Sequence, residues 1–305
     1  VAIGDNPFVS DPYYHDTKIA IENQSPNYIV NEDALYTKDG STIIAYWGKQ
    51  KQFTVPEYVI HIANGCFSNA RNLETIFVPQ GVESIGCKAF EDCYSLKSLD
   101  LPKSVKFIGE SAFWGCEALE KIWSLGSIRT IEPNTFKGCN LKYVHFPSCL
   151  ISIMDNAFNS NDELRNIDLP DTLETIGNHT FAYCSNLKHI NLGDSLKCIG
   201  DFCFYRCAVQ EVRLPPSLIN LGTRPFDKIT NIITRHESQY KAERGMLINQ
   251  DTKNLVCYFG DSSSITLKGI KSISPLAFYE SRVAEVILSN DIISCLLYTS
   301  PSPRD

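Results

Sequence analysis

Apolar and polar residues alternate along this chain in short bursts that recur. The run Leu96 to Leu101 ends in Ser98-Leu99-Asp100-Leu101, a period-2 pattern that predicts a strand with one buried face. Leu99 and Leu101 are expected to point inward, Ser98 and Asp100 outward. Pro102 has no N–H for a ladder, so the strand is expected to stop there. Val105-Lys106-Phe107-Ile108-Gly109 reads as a second short strand closed by a glycine turn. Ala112, Phe113, Cys116 and Leu119 then fall at helical spacing, which predicts one tight helical or 3₁₀ turn between strands.

The same phrase, I-G-x-x-A-F-x-x-C-x-x-L-x-x-I-x-L-P, returns along the chain. Its phenylalanines, Phe67, Phe90, Phe113, Phe136, Phe158, Phe181, Phe204 and Phe226, follow one another at 23, 23, 23, 22, 23, 23 and 22 residues. A fixed period in the twenties predicts a solenoid of coils that contact only their neighbours. One coil cannot bury its apolar side alone. Stacked coils share a core with a phenylalanine at one level, each contributing about 1.5–3 kcal/mol by burial. Single coils depart from the phrase: its Cys position holds Ala70, Asn161 and Ile229, and the Ala before Phe becomes Thr135, Thr180 or Pro225.

In the phrases IGCKAFEDCYSLKSLDLP, IGESAFWGCEALEKI and IGNHTFAYCSNLKHINL the chain resembles the BspA-like family of leucine-rich repeats, also called the Treponema pallidum type. Eight copies in register carry the resemblance. It implies a repeat solenoid of leucine-rich units of about 23 residues, β-rich, with short helical or 3₁₀ turns and β-hairpin inserts. It also implies a cell-surface or secreted protein that adheres to host matrix proteins, other cells or a surface.

A longer repeat is superimposed. Residues 28–48 align without a gap to residues 240–260 at an offset of 212, pairing Tyr28 with Tyr240, Tyr46 with Tyr258 and Gly48 with Gly260. Lys38-Asp39-Gly40 between two alternating runs is a hairpin signal. The expected organisation is a partial coil at 1–27, a β-hairpin insert at 28–54 and an eight-coil solenoid at 55–233. A second hairpin insert at 234–266 and a further truncated coil at 267–294 follow. Ile3-Gly4-Asp5-Asn6-Pro7-Phe8 resembles Leu221-Gly222-Thr223-Arg224-Pro225-Phe226, as if the chain begins inside a coil. Residues 295–305 resemble translated sequencing-adapter DNA and are set aside from the fold. A signal peptide or anchor is therefore not expected to be visible, and membrane association would come only through a missing anchor.

Composition narrows the function. Apolar residues make up 43% and charged residues 21%, which is globular rather than disordered. No apolar run approaches the ~20 residues of a membrane helix. A formal charge of −7 argues against nucleic acid, which needs a basic stripe.

Five of the 12 cysteines, Cys93, Cys116, Cys139, Cys184 and Cys207, share one repeat position and are expected to form a buried ladder of thiols. Neighbours on such a ladder lie near disulfide distance, which leaves bridges such as Cys93–Cys116 open. Cys66 and Cys203 replace the alanine before Phe, and Cys87, Cys149 and Cys198 fall at less constrained positions. Cys203 and Cys207 are the only close pair and lack zinc-ligand spacing. The histidines, His15, His61, His145, His179, His189 and His236, form no catalytic set, and nothing orients a Cys149–His145 pair. No G-x-S-x-G, H-E-x-x-H or phosphate loop occurs. The reading is of no enzyme, no metal and no cofactor. Asn178-His179-Thr180 and Asn23-Gln24-Ser25 are N-glycosylation triplets.

A partner would meet the variable outward positions. Strand parity predicts two columns, one of Thr75, Ser98, Lys121, Tyr143, Asn166, His189 and Glu211, the other of Phe77, Asp100, Trp123, His145, Asp168, Asn191 and Arg213. Trp123, Tyr143 and His145 are expected to form an aromatic patch, with Phe77 and His189 as further ligand-binding candidates. The expected partner is a protein or cell-surface ligand met outside the cell. An intracellular, cytoplasmic interaction scaffold is the rival, and a reduced cysteine ladder suits it.

Overall fold

The computed structural model describes residues 25–31 and 33–295. The likeness of residues 3–8 to a coil, His15, most of the Asn23 triplet and the segment beyond Cys295 lie outside the described residues.

Each coil has three sides. The first is a short parallel strand bearing the outward columns: Gln52–Thr54 pairs with Thr75–Phe77, and Ser98–Leu101 with Lys121–Leu125, which pairs on with Tyr143–Val144. Asn166–Asp168 pairs with His189–Asn191, and Glu211–Arg213 with Asn231–Ile233. Leu99 and Leu101 are buried while Asp100 is exposed, and the strand ends before Pro102. The second side is a two-residue strand that repeats as Ser84–Ile85, Phe107–Ile108, Thr130–Ile131 and onward. There Ile62, Ile85, Ile108, Ile131, Ile153, Ile176 and Ile199 stack inward.

The third side corrects the expected helical or 3₁₀ turn. It is an arc of consecutive turns with no helix. Gly65, Phe67 and Asn69 donate their N–H groups to Cys87, Ala89 and Glu91 of the next coil, at 2.9, 2.7 and 2.8 Å. Between them Cys66, Ser68 and Ala70 close turns back to Ala63, Gly65 and Phe67. Two residues four apart in each of these arcs are left-handed: Lys88 and Asp92 at φ 57°, Ser111 at 57° and Gly115 at 73°. A left-handed residue breaks a right-handed helix within one turn. The helical spacing of Ala, Phe and Cys comes from two linked turns.

Phe67 to Phe204 are fully buried and Phe226 nearly so. Successive rings stack with centroids from 4.9 Å for Phe67–Phe90 to 5.5 Å for Phe204–Phe226. Tyr46 closes the near end of the stack, 5.0 Å from Phe67. Beside it runs the cysteine ladder. The thiols of Cys93, Cys116, Cys139, Cys184 and Cys207 donate to the carbonyls of Phe67, Phe90, Phe113, Phe158 and Phe181 at 3.1–3.3 Å. All twelve cysteines are free thiols. Burial pushes the Cys93 and Cys184 thiols up to about 12.

The ladder's departures have local compensations. Thr135 and Thr180, in place of alanine, donate their hydroxyls to Glu132 and Gly177 carbonyls at 2.6 and 2.8 Å. Asn161 replaces cysteine for a reason found in the coil before it. In regular coils the leucine N–H closes a turn to the cysteine carbonyl three residues back, as Leu119 does to Cys116 at 2.9 Å. The fourth coil is one residue short there, reading Cys139-Asn140-Leu141, so that turn cannot form. Asn161 accepts the Leu141 N–H on Oδ1 at 3.2 Å and donates through Nδ2 to the carbonyls of Phe136 and Phe158 at 2.9 and 2.8 Å.

Two antiparallel meanders join the stack. Tyr28–Asn31, Ala34–Thr37 and Thr42–Tyr46 form one, and its last strand pairs in parallel with His61–Ile62. Tyr240–Glu243, Met246–Asn249 and Asn254–Tyr258 form the other and pair on to Ser272–Ile273. A second, smaller core around Leu255, Leu267, Ile270 and Ile273 begins there. Buried Arg224 is ion-paired to Asp227 and stacked on Tyr279 at 3.6 Å from the ring centroid.

Candidate binding surface

The strand face is built by the repeat: invariant apolar positions turn inward, which leaves the intervening positions free to vary. Lys121, Asn166, His189 and Glu211 of the first column, and Phe77, Asp100, Trp123, His145, Asp168, Asn191 and Arg213 of the second, are exposed; Thr75 and Ser98 are half-buried.

Trp123 and Tyr143 come together. Their ring centroids are 5.7 Å apart, and the residues are 52% and 46% exposed. Lys121 sets its ammonium 5.6 Å from the Trp123 ring centroid, a cation–π contact absent from the sequence reading. Trp123 reaches this place through a β-bulge. Lys121 and Ile122 face Ser98 and Leu99, but Ser124, not Trp123, faces Asp100. Trp123 is the extra residue of the strand, so the second column is displaced by one position at that coil. The Ser124 hydroxyl anchors the bulge by donating to the Leu101 carbonyl at 2.7 Å. A bulge re-aims a side chain, and here it aims the indole beside the phenol of the next coil.

The other predicted residues are spread out. His145 is exposed two residues beyond Tyr143 and makes no ring contact with the pair. Phe77 is 52% exposed on Thr75–Phe77, with the Ser98–Leu101 coil between it and Trp123. His189 lies two coils past Tyr143, at a groove of about 650 Å³ whose walls include Asp168, Gln210 and Arg213.

The other cysteines and histidines singled out by the sequence are held by local contacts. The Cys149 thiol points to the Ile128 carbonyl at 3.4 Å, which ties it to backbone rather than to His145. His61 Nδ1 is 2.8 Å from the Ser84 hydroxyl. His179 stacks on Phe202 with centroids 5.2 Å apart. The Asn178 amide is held in a ladder, accepting the Asp201 N–H at 2.7 Å and donating to Asp155 at 3.2 Å. Hydrogen bonds from Lys51 and Lys97 hold the Glu74 carboxyl at about 2. Among the described residues no three His, Cys, Asp or Glu side chains are grouped to hold a metal ion. No helix among them is long and apolar enough to cross a membrane.

Comparison with known proteins places this geometry. The profile of the BspA type leucine rich repeat region, in six copies, matches residues 41–164 and 151–240. A leucine rich cell surface protein from Faecalibacterium prausnitzii has a similar structure at 21% identity and a TM-score of 0.56, over 89% of this chain and 75% of that one. A leucine-rich repeat protein from Bacteroides ovatus aligns at 21% identity and TM-score 0.48, over 89% and 70% of the two chains. The leucine-rich repeat protein of T. pallidum aligns at 24% and 0.42, over 65% and 81%. No curated protein matches the chain.

Proposed function

The chain belongs to the BspA-type leucine-rich repeat family, and from that premise we propose that it is a non-enzymatic, protein-binding solenoid of the cell surface. The observation that carries this reading is the Trp123–Tyr143 pair, two large rings held half in water by a bulge and flanked by a lysine. Exposed, pre-positioned aromatics of this kind are the usual anchors of protein interfaces. The F. prausnitzii protein of similar fold is a cell-surface protein, which supports the same location. Binding sums contacts along the strand face in an adhesin-like manner, with no chemical step and no cofactor.

The test is binding of the whole chain to immobilised extracellular-matrix proteins and to intact epithelial cells. Replacing both rings, Trp123→Ala with Tyr143→Ala, is expected to cost about 2 kcal/mol or more, roughly thirtyfold in affinity, with circular dichroism unchanged. Unaltered affinity refutes the assignment of the pair.

One observation favours a second reading, an intracellular interaction scaffold: seven buried cysteines are kept as thiols, as in a reducing compartment. Fractionation of the native cells separates the two, because surface protease digestion removes an exported protein and spares an intracellular one.

A further inference from the structure

The seventh coil is short in the same place as the fourth. It reads Cys207-Ala208-Val209 where the sixth reads Cys184-Ser185-Asn186-Leu187, so its corner is one residue tighter. No asparagine mends this one; the matching position of the next coil is Ile229. His189–Asn191 and Glu211–Arg213 form no ladder, as is also true of Thr75–Phe77 with Ser98–Leu101 and of Tyr143–Val144 with Asn166–Asp168. Two hollows lie beside the seventh coil, one of about 650 Å³ on the strand face and one of about 790 Å³ on the arc side. Ala208 and Gln210 line both, so they are one trough that turns the corner along the recessed coil.

The walls of this trough are polar and of both signs. On the arc side stand Asp162, Ser185, Arg206 and Lys228; on the strand side stand Asp168, Asn191 and Arg213. Several are fixed in advance. Asp162 accepts the Ser185 hydroxyl on Oδ1 at 3.0 Å. Asp227 accepts the Arg206 N–H at 3.2 Å and is itself anchored by buried Arg224. Tyr183 stands over the arc end, 45% exposed, with its ring perpendicular to Tyr205 at 5.6 Å.

We propose that this trough is a carbohydrate site that takes a neutral oligosaccharide along the seventh coil. Sugar hydroxyls both donate and accept, which matches walls of carboxylate, amide and guanidinium groups placed close together. The apolar face of a pyranose matches an exposed tyrosine ring. A polyanion would need a basic wall, and the mixed charge here does not offer one. Side chains already held by their neighbours lose little freedom when the ligand arrives. The trough and the Trp123–Tyr143 pair are separate places on the solenoid, and the two proposals stand or fall apart.

The test uses the whole chain on an array of defined neutral, sulfated and sialylated oligosaccharides, followed by calorimetric titration of those retained. Retention is expected, with Tyr183→Ala and Asp162→Asn each weakening it about tenfold, the equivalent of about 1.4 kcal/mol. Tyr183→Phe keeps the ring and is expected to bind as the parent does. Trp123→Ala with Tyr143→Ala is expected to leave sugar binding intact. Asp162 is exposed, so Asp162→Asn preserves the fold and keeps the test valid if Tyr183→Ala lowers the Tm. Failure to retain any neutral oligosaccharide at millimolar concentration, retention confined to sulfated or sialylated chains, or binding that both trough variants leave unchanged would overturn the proposal.

Discussion

Replacing Asn161 by alanine removes three hydrogen bonds from a site with no solvent exposure. Their fates differ. The Phe158 carbonyl keeps the Cys184 thiol as a donor at 3.3 Å. The Phe136 carbonyl loses its amide donor, and the Leu141 N–H loses its acceptor in a coil too short to supply another. Each buried polar group left unsatisfied costs about 1–3 kcal/mol, so two of them predict a loss of roughly 2–6 kcal/mol before any cavity term. Asn161→Cys is the discriminating variant. A thiol restores a donor to Phe136, as in the other coils, but its sulfur is only a weak acceptor for the Leu141 N–H, so about 1–3 kcal/mol should remain lost. Inserting one residue after Asn140 in the Asn161→Cys background rebuilds the regular Cys-x-x-Leu turn and should recover most of that loss. The assay is urea unfolding followed by tryptophan fluorescence, with the midpoint and slope read together because stacked coils can lose cooperativity. If Asn161→Cys unfolds at the same urea concentration as the parent, the coupling of Asn161 to the short coil is refuted.

Two further predictions concern titrating groups. Iodoacetamide at pH 8 should modify exposed Cys149 and Cys295 in the folded chain. It should reach Cys66, Cys93, Cys116, Cys139, Cys184, Cys203 and Cys207 only after denaturation, because burial excludes the reagent and disfavours the thiolate. Peptide mass mapping that finds any of these seven alkylated in the native protein contradicts their burial. Glu74, with its carboxyl lowered from 4.5 to about 2 by Lys51 and Lys97, binds its proton less readily folded than unfolded. Its contribution is therefore present above pH 4.5 and fades as pH falls towards 2. Glu74→Gln should flatten the stability curve over that interval, and an unchanged curve would show that the lysines do not act on it.

Much of the architecture is legible without coordinates. The phenylalanine period alone specifies coils, a stacked core and the level of each ring, because a residue repeated at one position of a solenoid must meet its own copies in the neighbouring coils. The period-2 runs show which residues face out, so Trp123 and Tyr143 could be named as candidates from parity. The helical turn was misread for a definite reason. Left-handed backbone at Lys88, Asp92, Ser111 and Asn134 is held by inter-coil hydrogen bonds, and none of these residues is the glycine that would announce it.

What the sequence determined, then, is everything that follows from one coil meeting an identical neighbour. What only the tertiary structure decided is what happens where neighbours differ. Ile122-Trp123-Ser124-Leu125 reads equally well in two registers, and only pairing with Ser98–Leu101 makes Trp123 the bulged residue. The 22-residue intervals show that coils are shortened, but not that Asn161 crosses from the next coil to satisfy Leu141. Nor do they show that a trough runs past Ala208 from Tyr183 to Arg213. Those outcomes depend on hydrogen bonds and spaces between residues twenty or more apart in sequence, which periodicity averages away.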